Sequence, residues 1–131
     1  VIALDTNVLV RYLVADDEEQ AARAAALIED TAGRGDAMFI SNVVVCELVW
    51  VLGRAYRLPK PRLVEAVANV VRTAQFVVED ADLVGRALYR YRDGGADFAD
   101  YLIAEAAAAA GCVQVATFDK RLLREDGFTS P

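Results

Sequence analysis

Val1-Ile2-Ala3-Leu4-Asp5-Thr6-Asn7 opens the chain with a short apolar run stopped by three polar residues, and the helical spacing Val8, Leu9, Tyr12, Leu13 follows at once. A brief run containing Val and Ile reads as a buried strand of a parallel sheet. Asp-Thr-Asn then stands where that strand turns into a helix. In open α/β sheets this edge, the carboxyl end of the strands, is where ligands bind. An Asp there contributes little to a core and is well placed to hold a cation.

The same alternation continues outward from this start. Met38-Phe39-Ile40, Gln75-Phe76-Val77-Val78 and Val113-Gln114-Val115-Ala116 read as strands, with Phe128-Thr129 as an edge strand. Helices are expected from Ala21 to Ile28, from Val43 to Leu52 capped by Ser41 or Asn42, from Arg62 to Arg72, from Asp80 to Arg92 and from Asp97 to Ala110, with another from about Arg121. Gly111 stands at the left-handed position that ends a helix. Strands alternating with helices predict a single-domain α/β/α sandwich over residues 1–131, built on a mostly parallel sheet of four to five strands. Val43 to Leu52 is apolar nearly all round, which predicts a helix buried on most faces. The alanines Ala106 to Ala110 suit close packing of a helix on the sheet, and Asp93-Gly94-Gly95-Ala96 reads as a flexible link.

Composition narrows the chemistry. The 131 residues are 56% hydrophobic, enough for one packed core without disulfides. Cys46 and Cys112 lie far apart in apolar surroundings and read as small buried hydrophobes. No apolar run reaches the roughly 20 residues of a membrane span, nor is there a signal-peptide pattern, so the chain reads as cytoplasmic. There is no histidine. This removes Ser-His and Cys-His nucleophile pairs and imidazole metal sites, and leaves oxygen ligands suited to Mg²⁺ or Mn²⁺. A net charge of −6 argues against a non-specific nucleic-acid coat but not against a nuclease whose acids surround metal ions.

Those acids recur at strand ends. Asp119, in Thr117-Phe118-Asp119-Lys120, repeats the opening pattern of strand, hydroxyl and acid. Glu47 and Asp100 lie in early turns of helices expected to begin near the same edge. Each has a structural reading as well: Glu47 as a helix-dipole residue reaching solvent, and Asp97, Asp100 and Asp119 as helix caps. Right-handed crossovers would bring Asp5, Glu47, Asp100 and Asp119 to one edge. Like charges about 4 Å apart repel by about 4 kcal/mol at an effective dielectric of 20, so such a cluster needs protons or divalent cations. Cations so held activate water and stabilise charge on a phosphoryl oxygen, which suits hydrolysis of a phosphodiester. A haloacid-dehalogenase-like phosphatase would want an acid where Asn7 stands. A receiver domain would want an Asp after its third strand, where Val77-Val78-Glu79 is found.

The set Asp5-Thr6-Asn7-Val8-Leu9, Glu47-Leu48, Asp97-Phe98-Ala99-Asp100-Tyr101-Leu102-Ile103-Ala104 and Thr117-Phe118-Asp119 resembles the PIN domain, and most closely its small VapC-type toxins of type II toxin–antitoxin pairs. The resemblance implies that Asp5, Glu47, Asp100 and Asp119 form an acidic metal cluster. Asp97 matches an acid common in the toxin subset, either a direct ligand or a group supporting one. Thr6, Asn7 and Thr117 would orient ligands and substrate phosphate. Arg86, Arg90, Arg92, Lys120, Arg121 and Arg124 would be the RNA contacts. A Mg²⁺- or Mn²⁺-dependent endoribonuclease leaving 3′-hydroxyl and 5′-phosphate ends is implied, together with a homodimer and a cognate antitoxin able to place an Arg in the acidic pocket. The alternative is a PIN-like binding module that does not cleave.

Overall fold

The computed structural model describes all residues, Val1–Pro131. The chain forms two compact units, Val1–Ala81 and Asp82–Pro131. In the first, β1 (Ile2–Ala3), β2 (Met38–Ile40) and β3 (Phe76–Val78) form one sheet in that order, with β1 and β3 both parallel to β2. The helices between them are α1 (Thr6–Leu13), α2 (Glu18–Gly33), α3 (Asn42–Arg54) and α4 (Lys60–Arg72). Helix α1 packs on α2 and α3, α3 on α4, and α4 on β3. Leu9, Met38, Ile40, Val45, Leu48 and Val67 are fully buried here.

The second unit holds α5 (Ala81–Asp93, beginning at the boundary), α6 (Phe98–Ala109), β4 (Val115–Ala116), a 3₁₀ turn at Leu122–Arg124 and β5 (Phe128–Thr129). Strands β4 and β5 pair in parallel. Ala104, Leu122 and Phe128 pack together, with Ala96 and Val115 against them. All five expected strands are present and every pairing is parallel, divided into sheets of three and two strands. This is the mixed α/β class read from the alternating pattern.

Several local expectations are corrected. Strand β1 is exposed rather than buried, because it is the edge of its sheet and pairs only with β2; Leu4, just beyond it, is the buried residue. Helix α3 is buried on most faces, as its apolar sequence predicts, but one side is open. Val43, Glu47 and Trp50, at spacings of four and three, form an exposed stripe, and Arg54 lies over the Trp50 ring. Helix α6 packs on β4, yet most of Ala106 to Ala110 is exposed and Ala104 is the buried alanine. Cys112 is exposed too, carried out of the core by the turn at Gly111, whose φ of +88° ends the helix as expected. From Arg121 the chain makes only a 3₁₀ turn.

The Gly94–Ala96 link is tied down. The Tyr101 hydroxyl accepts from the Ala96 N–H at 3.1 Å and donates to Glu125 Oε1 at 2.9 Å, and that carboxylate also accepts from the Gly95 N–H at 3.3 Å. At α3, Ser41 caps the helix by accepting from the Val44 N–H at 3.2 Å. Asn42 joins it to the end of β3: its N–H donates to Glu79 Oε1 at 3.0 Å, and its side-chain oxygen accepts from the Asp80 N–H at 3.2 Å. Ser41→Ala therefore costs about 1 kcal/mol, the usual value of a lost N-cap, measured by denaturant unfolding with an unchanged m-value.

Candidate active site

In the first unit the sequence-selected residues gather at the start of α1. Asp5 is its N-cap, and Oδ1 accepts from the Thr6 N–H at 2.7 Å. Thr6 is buried, and its hydroxyl donates to Glu47 Oε1 at 3.1 Å. A threonine thus joins the acid after β1 to the acid on α3. Asp5, Thr6, Asn7 and Glu47 line one cleft of about 370 Å³ together with Arg11 and Tyr56. Glu47 is exposed within it, reaching solvent as one of its two readings expected, because it lies on the open stripe of α3.

Arg11 and Tyr56 escaped the sequence reading. The Arg11 guanidinium donates to the Tyr56 hydroxyl at 2.8 Å, to Asp16 at 3.0 Å and to Gln20 at 2.6 Å. Tyr56 in turn donates to Asp16 at 2.8 Å. The Tyr56 hydrogen bond, followed by the charges around it, holds Arg11 more firmly protonated, and the same hydroxyl with Arg11 lowers the Asp16 pKa. Asn7 and Arg11 also border a second cleft of about 670 Å³, lined further by Gln20, Arg23 and Leu27 and by no acid. The available signal was the four-residue step from Asn7 to Arg11, which puts both on one face of α1. Tyr56 follows α3 and had no periodicity to betray it.

In the second unit, Asp97 is the N-cap of α6 and Asp100 is its third residue. Asp100 Oδ2 accepts from the Asp97 N–H at 3.1 Å, so the capping role weighed from sequence is real. It does not exhaust the residue. Partial burial first, and then the charges of Asp97 and Asp119, raise the Asp100 pKa above the ordinary aspartate value. The charges of Asp97 and Asp119 thus both act on Asp100. Asp119 follows β4 in a turn closed by Thr117, whose hydroxyl accepts from the Asp119 N–H at 3.0 Å. The Asp119 carboxylate is paired with Arg121 at 2.9 Å, and that hydrogen-bonded pair lowers its pKa. In neither unit do three acids or thiols close into a ready-made nest for a metal ion.

The basic residues divide. Arg86 and Arg90 are both held by Glu105, at 3.2 and 3.1 Å, and Arg90 also donates to the Asp126 carbonyl at 2.8 Å. Arg92, Lys120 and Arg124 are exposed and make no ion pair. An acid at i+19 from Arg86 is invisible to any local pattern.

Comparison with known proteins bears on the family of the chain. A protein named VapC ribonuclease, from Aquifex aeolicus (strain VF5), is 27% identical over 118 residues, covering 90% of this chain and 87% of that protein. The family model described as PIN domain matches residues 2–127, across nearly the whole chain and both acidic sets. The chain belongs to the PIN domain family.

Proposed function

We propose that the chain is a divalent-metal-dependent endoribonuclease, the toxin of a type II toxin–antitoxin pair, with residues 1–131 as its nuclease domain. The observation that carries the reading is Asp100: partly desolvated, repelled by Asp97 and Asp119, and within a family whose relative bears the name of a ribonuclease. A carboxylate whose neighbours and burial both oppose its charge is poised to take a cation.

The donor set fits such an ion. Every candidate ligand is a hard carboxylate oxygen, from Asp5 and Glu47 in the first unit and from Asp97, Asp100 and Asp119 in the second. This chemistry selects Mg²⁺ or Mn²⁺ over softer metals. When bound, the ion would lower the pKa of water and stabilise charge on a phosphoryl oxygen.

The chain's own residues supply the positioning. Thr6 fixes the orientation of Glu47 through its hydroxyl, and the N-cap geometry fixes Asp5. Thr117 sets the turn that presents Asp119. Asn7 borders the Asp5 cleft, where its amide can meet substrate phosphate. Lys120 and Arg121 flank Asp119 as further phosphate contacts. Arg86 would contact RNA only by sharing its charge with Glu105. The family reading supplies the partners: RNA as substrate, a cognate antitoxin, and a second copy of the chain, all in the cytoplasm.

The test is cleavage of structured cellular RNA by the purified chain, free of antitoxin, with Mg²⁺ or Mn²⁺ and with chelator. Discrete cuts that require the metal are expected. Intact RNA across several pools at micromolar protein would replace the nuclease by a non-cleaving binding module.

A further inference from the structure

We infer that Arg121 is a built-in counter-cation of Asp119, so that a divalent ion reaches this acid by displacing a guanidinium rather than by filling a waiting nest. The inference rests on the metal-dependent reading above. Asp119 has no free oxygen. Its Oδ1 accepts from the Arg121 backbone N–H at 3.0 Å and from Nε at 3.2 Å, while Oδ2 accepts from Nη2 at 2.9 Å. One residue, two positions further on, engages both carboxylate oxygens in the forked geometry that guanidinium and carboxylate share.

The Asp119 carboxylate therefore already holds a cation, and no three acids of this unit close into a nest for a metal ion. No other basic side chain pairs with Asp119: Arg86 and Arg90 are taken by Glu105, and Lys120 and Arg124 make no ion pair.

The contact is also built to open. The Arg121 side chain is 78% exposed and that of Asp119 only 35%. The turn is held independently by the Thr117 hydroxyl and by the Arg121 backbone N–H. The guanidinium can leave while Asp119 stays where it is. An exposed ion pair contributes little, so the competition is modest: removing the Arg121 charge should tighten divalent-ion binding by about three- to tenfold.

The experiment is calorimetric titration of Mn²⁺ into the full chain at matched ionic strength, comparing wild type with Arg121→Gln, Arg121→Lys and Arg124→Gln. Arg121→Gln should bind several-fold tighter and Arg121→Lys should fall between, since lysine keeps the charge but not the fork. Arg124→Gln makes the same change in net charge without touching Asp119 and should shift affinity by less than about twofold, the scale of a screened surface charge. Affinity in Arg121→Gln equal to or below wild type overturns the inference while leaving the metal reading intact. So does an Arg124→Gln effect as large as that of Arg121→Gln, which would reduce the matter to net charge. A wild type that takes up no Mn²⁺ overturns both.

Discussion

If the chain is the proposed metal-dependent ribonuclease, Asp100→Asn should lower its RNA cleavage by about a thousandfold or more, the scale expected when a group holding a catalytic cation is lost, and leave the metal-free protein at least as stable as wild type. The two halves of this result separate the roles of the residue. As a cap, Asp100 needs only an oxygen that accepts from the Asp97 N–H, and the asparagine carbonyl provides one. As a ligand it needs charge, which asparagine lacks. The sign of the stability change follows from linkage. Burial first, then Asp97 and Asp119, raise the Asp100 pKa in the fold, so the folded state prefers the neutral acid. Wild type then loses stability as pH rises from the ordinary aspartate value through the raised one, and the substitution removes that loss. Asp119 behaves oppositely. Its hydrogen bonds and ion pair with Arg121 lower its pKa, a contribution present above the ordinary value and lost as pH falls through the lowered one. Thermal melts without metal should therefore show Asp100→Asn above wild type near neutral pH, with the gap closing once Asp100 is protonated. A clearly lower melting temperature at neutral pH would make Asp100 a structural cap whose charge is needed by the helix.

The order of elements was legible because their signals are local. The Ser41 cap, the Gly111 helix end and the apolar triplets at Met38–Ile40 and Phe76–Val78 each depend on residues within a few positions. Asp5 and Asp119 were singled out for a related reason: an Asp soon after a strand is a poor core residue wherever it occurs. What escaped was set by partners distant in sequence. Exposure of the Val43–Glu47–Trp50 stripe depends on which side of α3 the rest of its unit covers, and an apolar-all-round helix carries no mark of that. Arg86 looked free because Glu105 is nineteen residues away, and the Gly94–Ala96 link looked loose because Glu125 comes later still. The Arg121–Asp119 pair shows the opposite failure. Both residues were picked out, as a substrate contact and a metal ligand, but their direct pairing makes the two roles depend on one another.

Gly94→Ala destabilises the protein by about 3 kcal/mol, at the upper end of what one extra methyl costs in packed surroundings. The cause is space rather than backbone conformation, since Gly94 is not among the glycines with positive φ. A Cβ built there collides with the Tyr101 hydroxyl and comes within 2.6 Å of the ring carbon that bears it and 2.8 Å of the Arg90 carbonyl. Neither neighbour gives way cheaply. Tyr101 is fully buried, with its hydroxyl bonded to Ala96 and Glu125 and the Arg90 guanidinium 5.0 Å from its ring centre. The Arg90 carbonyl is helix backbone and accepts from the Gly94 N–H at 3.0 Å. For a chain of this size the loss corresponds to a fall in melting temperature of roughly 10 °C. Adding Tyr101→Phe relieves the collision with the hydroxyl but not those with the ring carbon and the backbone, and it strips the Ala96 N–H of its acceptor. The double variant should therefore stay well below wild type. Because the link runs directly into Asp97 and the first turn of α6, the single variant should also weaken Mn²⁺ binding at temperatures where it remains folded. A Gly94→Ala protein within about 0.5 kcal/mol of wild type, the range of an unconstrained surface site, would show that the link has room to shift and that Tyr101 does not fix where α6 begins.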